Sequence, residues 1–136
     1  MASGYSGTPL VRKLGFKPGM RAHYVNAPDA FEALVGELPD GVRVLARPAD
    51  ALDIVLLFVR ERRELERWLA GLHARLAPAG MIWVAWPKRA SKVPTDMTED
   101  VVRDVALPSG LVDVKVCAID ETWSGLKLVI RRELRR

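Results

Sequence analysis

The sequence predicts an α/β domain: a mostly parallel sheet of about six strands, helices on both faces, and a terminal antiparallel hairpin. Three observations lead there. The stretch Leu76 to Lys88, LAPAGMIWVAWPK, leaves a helical stripe at Leu76, turns at Pro78 and Gly80, and continues as the almost unbroken apolar run Met81 to Trp86. Such a run between turn residues is what a strand buried on both faces looks like. Leu52 to Val59, LDIVLLFV, is a second run of the same kind, and the segment between them is apolar at helical spacing. Strands alternating with helices in this way build a parallel sheet covered on both sides.

Taken in order, residues 1 to 13 are small and polar and are expected to be flexible or loosely docked, leaving 14–136 as a single domain. LGFKPG (Leu14 to Gly19) ends in a Pro-Gly turn. Arg21 to Ala27 reads as the first strand, closing at Asn26-Ala27-Pro28-Asp29. Asp29 is placed as an N-cap, with Glu32 completing a capping box. Phe31, Leu34, Val35 and Leu38 repeat at helical spacing until Pro39-Asp40-Gly41. Val42, Val44 and Leu45 make a second strand ending near Arg47-Pro48. Residues 46 to 51 must then recross the sheet, and six extended residues reach only about 20 Å, so this strand should be short.

A helix is expected from about Glu61 to Ala77, with Leu65, Trp68, Leu69, Leu72 and Leu76 as its buried stripe. After the central strand comes a polar loop, Lys88 to Asp96. Thr98 caps a further helix whose Glu99 and Asp100 suit its positive end. Pro108-Ser109-Gly110 ends that helix. Val112, Val114, Val116 and Ala118 alternate with Asp113, Lys115 and Cys117, as in a half-buried strand. The chain turns at Glu121 to Gly125, and Leu126 to Arg132 returns antiparallel.

Composition is that of an ordinary globular chain: 136 residues, 49% apolar and 28% charged, enough for one core without staples. Cys117 is the only cysteine, which excludes an intrachain disulfide and makes a reducing, cytoplasmic setting the expectation. MASGYSGTPLVRK lacks the apolar core of a signal peptide, and no apolar run approaches the ~20 residues of a spanning helix. The net charge of +4 owes much to Arg131, Arg132, Arg135 and Arg136. A basic tail is more often a solvated end than a recognition element, so nucleic acid is not an expected partner. One cysteine and two isolated histidines cannot make a structural zinc site, and nothing brings Cys117 and His23 together as a thiol–imidazole pair.

LxPxG followed by IWVAWPK resembles the helix-and-strand step in the C-terminal half of class I S-adenosylmethionine-dependent methyltransferases. LDIVLLFV resembles the strand before that step, KPGMRAHYV the entry to the first strand, and the terminal hairpin the last two strands. The likeness spans roughly residues 14 to 132 and lacks one strand-helix unit between Arg47 and Leu52. It implies a Rossmann-like fold. A closer resemblance is carried by LGFKPGMRAHYVNAPDAFEAL, WVAWPK, TEDVVRD and LVDVKVCAIDETWSGLKLVIR. These are similar to a family of small bacterial proteins catalogued as domain of unknown function 3052, which implies no activity.

A methyltransferase cofactor site needs glycines after the first strand, so that backbone can approach the ligand, and an acid after the second to hold the ribose. Here the first loop, Asn26 to Phe31, has no glycine, and Pro28 removes a donor. The second strand ends in Ala46-Arg47-Pro48, a base where an acid would be wanted, and Asp50 lies further along. S-adenosylmethionine is therefore not expected to bind in the usual mode. Phosphate is disfavoured at the same loop if Asp29 caps the helix, and no GxxxxGK[ST] motif occurs.

In this topology the strand ends and the hairpin tip share one mouth, which gathers Asn26, Asp29, Arg47, Arg60, Trp86, Lys88, Glu121, Thr122, Trp123 and Lys127. Tryptophan is costly to expose at a hairpin tip. Trp123 is thus either an aromatic wall beside Trp86, with Lys88 and Glu121 as polar partners, or a pin that packs on Trp86 or Pro87. The expected ligand set is Asn26, Arg47, Trp86, Lys88, Glu121, Trp123 and Lys127. Trp68 and Trp83 are expected in the core, and Asp113 and Lys115 as edge protection. The expected function is a non-catalytic domain binding a small molecule or partner protein. The alternatives are a transferase with an atypical cofactor site, and a homodimer formed through the open face or outer strand.

Overall fold

In the computed structural model, which describes residues 8–135, Met81 to Pro87 lies inside a six-stranded sheet and is buried at every position. The strands are β1 (Arg21–Val25), β2 (Arg43–Leu45), β3 (Leu52–Phe58), β4 (Leu76–Pro87), β5 (Leu111–Ala118) and β6 (Trp123–Ile130), in the order β2-β1-β3-β4-β6-β5. β2, β1, β3 and β4 run parallel; β6 lies antiparallel between β4 and β5. Helices α1 (Leu10–Leu14) and α2 (Phe31–Val35) cover one face, and α3 (Arg62–Ala74) and α4 (Glu99–Ala106) the other. This is the expected Rossmann-like α/β architecture with its antiparallel end.

Alternation along the central strands divides the core in two. Val55, Leu57, Ile82, Val84 and Trp86 pack toward α3 and α4. Ile54, Leu56, Phe58, Met81, Trp83 and Ala85 pack toward α1 and α2. A strand buried on both sides can carry no polar side chain at either parity, which is why β3 and β4 read as nearly continuous apolar runs. Trp83 is fully buried, and its Nε1–H donates to the Leu14 carbonyl at 2.8 Å. That bond anchors the end of α1 on the central strand. The expected boundary at Leu14 thus falls at the end of a helix whose Leu10 and Val11 also pack on the core. Residues 1–7 lie outside the described residues.

β2 is three residues long and pairs parallel with β1 from Arg21↔Arg43 to His23↔Leu45. Thr98 caps α4 by accepting from the Val101 amide at 3.1 Å. Four local expectations are corrected. The helix before the central strand ends at Ala74, and Leu76 begins β4 by pairing with Leu52. The next pair is Ile54↔Met81, so Pro78 and Gly80 belong to a wide irregularity inside the strand. Asp29 does not cap α2: Ala30 holds that position without a side-chain bond, and the Phe31 amide reaches the Pro28 carbonyl instead. α2 stops at Val35 because Gly36 leaves helical geometry at φ 74°, although Leu38 still packs on the core.

The fourth correction concerns β5. Its register slips between Asp113 and Lys115, so Val114 is an extra residue opposite β6. A bulge of this kind reverses the parity beyond it. Cys117 is turned into the α1/α2 core, while Val114 and Val116 are left 52% and 47% exposed.

Two substitutions test this packing. Trp83→Phe strands the Leu14 carbonyl in the core and should cost about 1–3 kcal/mol in urea unfolding. Gly80→Ala would place its Cβ 2.5 Å from the Leu52 carbonyl oxygen; the backbone must shift, and a loss of about 1–3 kcal/mol is expected by the same measurement.

Candidate functional site

The mouth at the strand ends is built by three segments. β1 runs into Asn26, whose left-handed backbone (φ 58°) reverses the chain over the strand end toward Pro28 and α2. Asparagine is among the few non-glycine residues that adopt this conformation readily. β3 delivers Phe58, then Val59, whose amide bonds the Ala85 carbonyl at 2.9 Å, then Arg60. The start of α3 is closed by a capping box between Glu61 and Glu64, and the Glu64 carboxylate accepts from the Arg60 and Glu61 amides at 2.8 and 3.1 Å.

The third segment is the hairpin between β5 and β6. Asp120 organises its tip, one carboxylate oxygen accepting from the Thr122 and Trp123 amides at 2.8 and 2.7 Å. The Lys88 amide donates to the Thr122 carbonyl at 2.7 Å, tying the tip to the end of β4. These bonds turn Trp123 inward against Phe58, ring centroids 5.1 Å apart and nearly perpendicular. Phe58 meets Phe31, and Phe31 meets Tyr24, in the same edge-on manner at 5.2 and 5.1 Å. Edge-to-face contacts at this spacing stabilise beyond what the buried area of the rings contributes.

Above this aromatic row lies a cavity of about 330 Å³ lined by Asn26, Pro28, Phe58, Arg60, Glu64 and Trp123. Among the described residues, the side-chain amide of Asn26 and the guanidinium of Arg60 are exposed to solvent and, like the Trp123 indole N–H, bond no protein group. Glu64 is already occupied by backbone amides. The opening therefore offers solvent-facing polar donors above rings that are themselves nearly buried, Phe58 2% and Trp123 9% exposed, with its one carboxylate committed to the helix start.

Of the expected ligand set, Asn26 and Trp123 come together here. Trp86 does not. Trp123 pairs with Pro87 and Trp86 with Ser124, so the two indoles project from opposite faces of the sheet. The proposed shared aromatic wall is ruled out by that parity: Trp123 meets Phe58 on the α1/α2 side, with Pro87 directly opposite it on β4, and Trp86 lies on the other face. Trp86 lines a separate cavity of about 540 Å³ on the α3/α4 side, with Arg89, Lys92, Pro94 and Met97 among its neighbours. Arg47 and Glu121 are exposed outside both cavities, and Lys88 and Glu121 form no ion pair among the described residues. Lys127 lies mid-strand, opposite Lys115 and Trp83. Phe58 and Glu64 were missed: one reads as core, the other as a helix-surface charge.

Residues 27–132 match the model of the family described as protein of unknown function (DUF3052), and the chain belongs to that family. No curated protein matches it in sequence. Among solved structures it is similar to an S-adenosylmethionine-dependent methyltransferase from Aquifex aeolicus, with TM-score 0.59 and 16% identity over 89% of this chain and 87% of that one. It is also similar to the fibrillarin pre-rRNA processing protein of Methanococcus jannaschii (TM-score 0.62, 12% identity, 94% of this chain and 71% of that one). A third likeness is to the N-methyltransferase NodS of Bradyrhizobium japonicum (TM-score 0.60, 11% identity, 90% and 92%). At these identities the likeness establishes a methyltransferase-like fold.

Burial, and secondarily Glu32, push the Tyr24 hydroxyl up to about 12. The folded state thus holds this proton more tightly than the unfolded chain does. Stability should fall as pH rises from about 10 to about 12, because the unfolded state loses the proton first. Alkaline unfolding should show this loss, and Tyr24→Phe should abolish that component. Independently, Glu64→Ala removes the acceptor for two amides and should lower stability by about 1–2 kcal/mol in urea.

Proposed function

We propose that this family member is a non-catalytic binding domain whose strand-end cavity holds a small planar organic anion. The carrying observation is the set of unpartnered donors around that cavity, Asn26, Arg60 and the Trp123 indole, set against the Phe58 and Trp123 rings. A guanidinium is suited to a carboxylate, and an aromatic wall to a flat ring. A single cysteine, buried and with its thiol pushed up mainly by that burial, is in keeping with a cytoplasmic setting.

The cofactor of methyltransferase neighbours fits these residues poorly. The loop after β1 contains Pro28 where backbone donors would be wanted, and Asn26 supplies the left-handed turn with a side chain attached. The chain directly after β2 offers exposed Arg47, and the acid further along, Asp50, pairs with Arg75 at 3.4 Å. Glu64, the one carboxylate at the cavity, is spent on the α3 capping box. A transferase with a differently built cofactor site is the second reading, and the fold likeness favours it.

The test is amide and indole chemical-shift mapping of the intact protein with benzoate and salicylate. Saturable shifts at Asn26, Phe58, Arg60 and Trp123 are expected, with affinity lowered about tenfold or more in Arg60→Ala. Shifts confined to other residues, or affinity unchanged in that variant, would overturn the assignment.

A further inference from the structure

The face that carries α1 and α2 is only partly covered by them, and toward the outer strands it presents lysines. The bulge at Val114 turns Lys115 onto this face, directly opposite Lys127 on β6. Lys127 is in turn the partner of Trp83 on β4. Trp83 holds the end of α1 through the Leu14 carbonyl, and Lys17, three residues beyond, is near enough to act on the Lys127 ammonium. We infer that Lys17, Lys115 and Lys127, brought together from three separate segments, form a site for a compact polyphosphate group.

Edge protection accounts for Lys115, which sits on the outermost strand. It does not account for Lys127, because β6 is an inner strand flanked by β4 and β5. Like charges directly opposite each other on a sheet destabilise it. Arginines elsewhere find carboxylates, as Arg62, Arg75 and Arg103 do. Lys17, Lys115 and Lys127 find none among the described residues. Half-burial, then Lys115 and Lys17, pull the Lys127 ammonium below the usual lysine range. Nearby Cys117 feels Lys13, Lys115 and Lys88. The repulsion is thus concentrated at one place, where a dense anion would relieve it.

The geometry favours a compact ligand over a nucleic-acid strand. The lysines come from one small area rather than along a groove, and the ring beside Lys127, Trp83, is fully buried, so it offers no face on which a base could stack. Lysine binds phosphate as a point charge, and several such charges suit a chain of two or three phosphates. The site is distinct from the strand-end cavity: Lys127 lies four residues along β6 from Trp123, about 14 Å.

Thermal unfolding of the intact protein in inorganic tripolyphosphate at constant ionic strength, against sodium sulfate as control, tests the inference. Tripolyphosphate should raise the melting temperature saturably, and sulfate should do much less. Lys127→Met and Lys115→Ser should each weaken tripolyphosphate binding about tenfold. Without ligand, Lys127→Met should melt no lower than the parent, because repulsion is removed; that separates a lost site from a damaged fold. Adenosine triphosphate should bind at least as well if the phosphate chain is the shared element. Equal shifts with sulfate, unchanged affinity in both variants, or binding of a DNA duplex but not of tripolyphosphate would overturn the assignment.

Discussion

Between Met81 and Pro87 the chain presents no side to water, and most of the architecture follows from covering it. One face needs α3 and α4, whose leucines and valines meet Ile82, Val84 and Trp86. The other is closed by two five-residue helices and by the Trp83 bond to Leu14. Each fully buried apolar side chain contributes about 1.5–3 kcal/mol, so a strand with buried residues at both parities outweighs any local preference nearby. The helices on the α1/α2 side are too short to span the sheet. That shortfall leaves the outer part of the face to lysines and the strand-end mouth to an aromatic row.

The same constraint bears on function. A parallel sheet with helices on both faces delivers loops to the carboxyl ends of its strands, where such folds hold ligands. Here those loops are filled in their own way. Asn26 turns the chain without a glycine, Glu64 is drawn into a helix cap, and Trp123 is folded down onto Phe58. The scaffold is methyltransferase-like, and fold alone does not carry chemistry across.

Much of this fold was legible in the sequence because burial on two faces leaves an unmistakable record. LDIVLLFV and MIWVAW could be little else, and the Leu65-Leu69-Leu72 stripe and the Thr98 cap are set by local spacing. The site was less legible, because it depends on register. Whether Trp123 shares a face with Trp86 turns on which residue of β6 stands opposite Pro87, and no local pattern carries that. The bulge at Val114 likewise reverses parity in a strand whose valine alternation points the other way. Asp29 looked like a cap, but the left-handed turn at Asn26 moves the helix start one residue on. Asp120, which builds the hairpin tip, was hidden beside the more conspicuous Glu121-Thr122-Trp123.

The most direct test of the account is calorimetric titration of the intact protein with S-adenosylmethionine. A mouth without glycines, without a ribose-holding acid and with Glu64 already bonded predicts no saturable heat up to millimolar ligand. One-to-one binding at micromolar concentration, lost in Trp123→Ala while that variant stays folded, would contradict it and return the cavity to the cofactor.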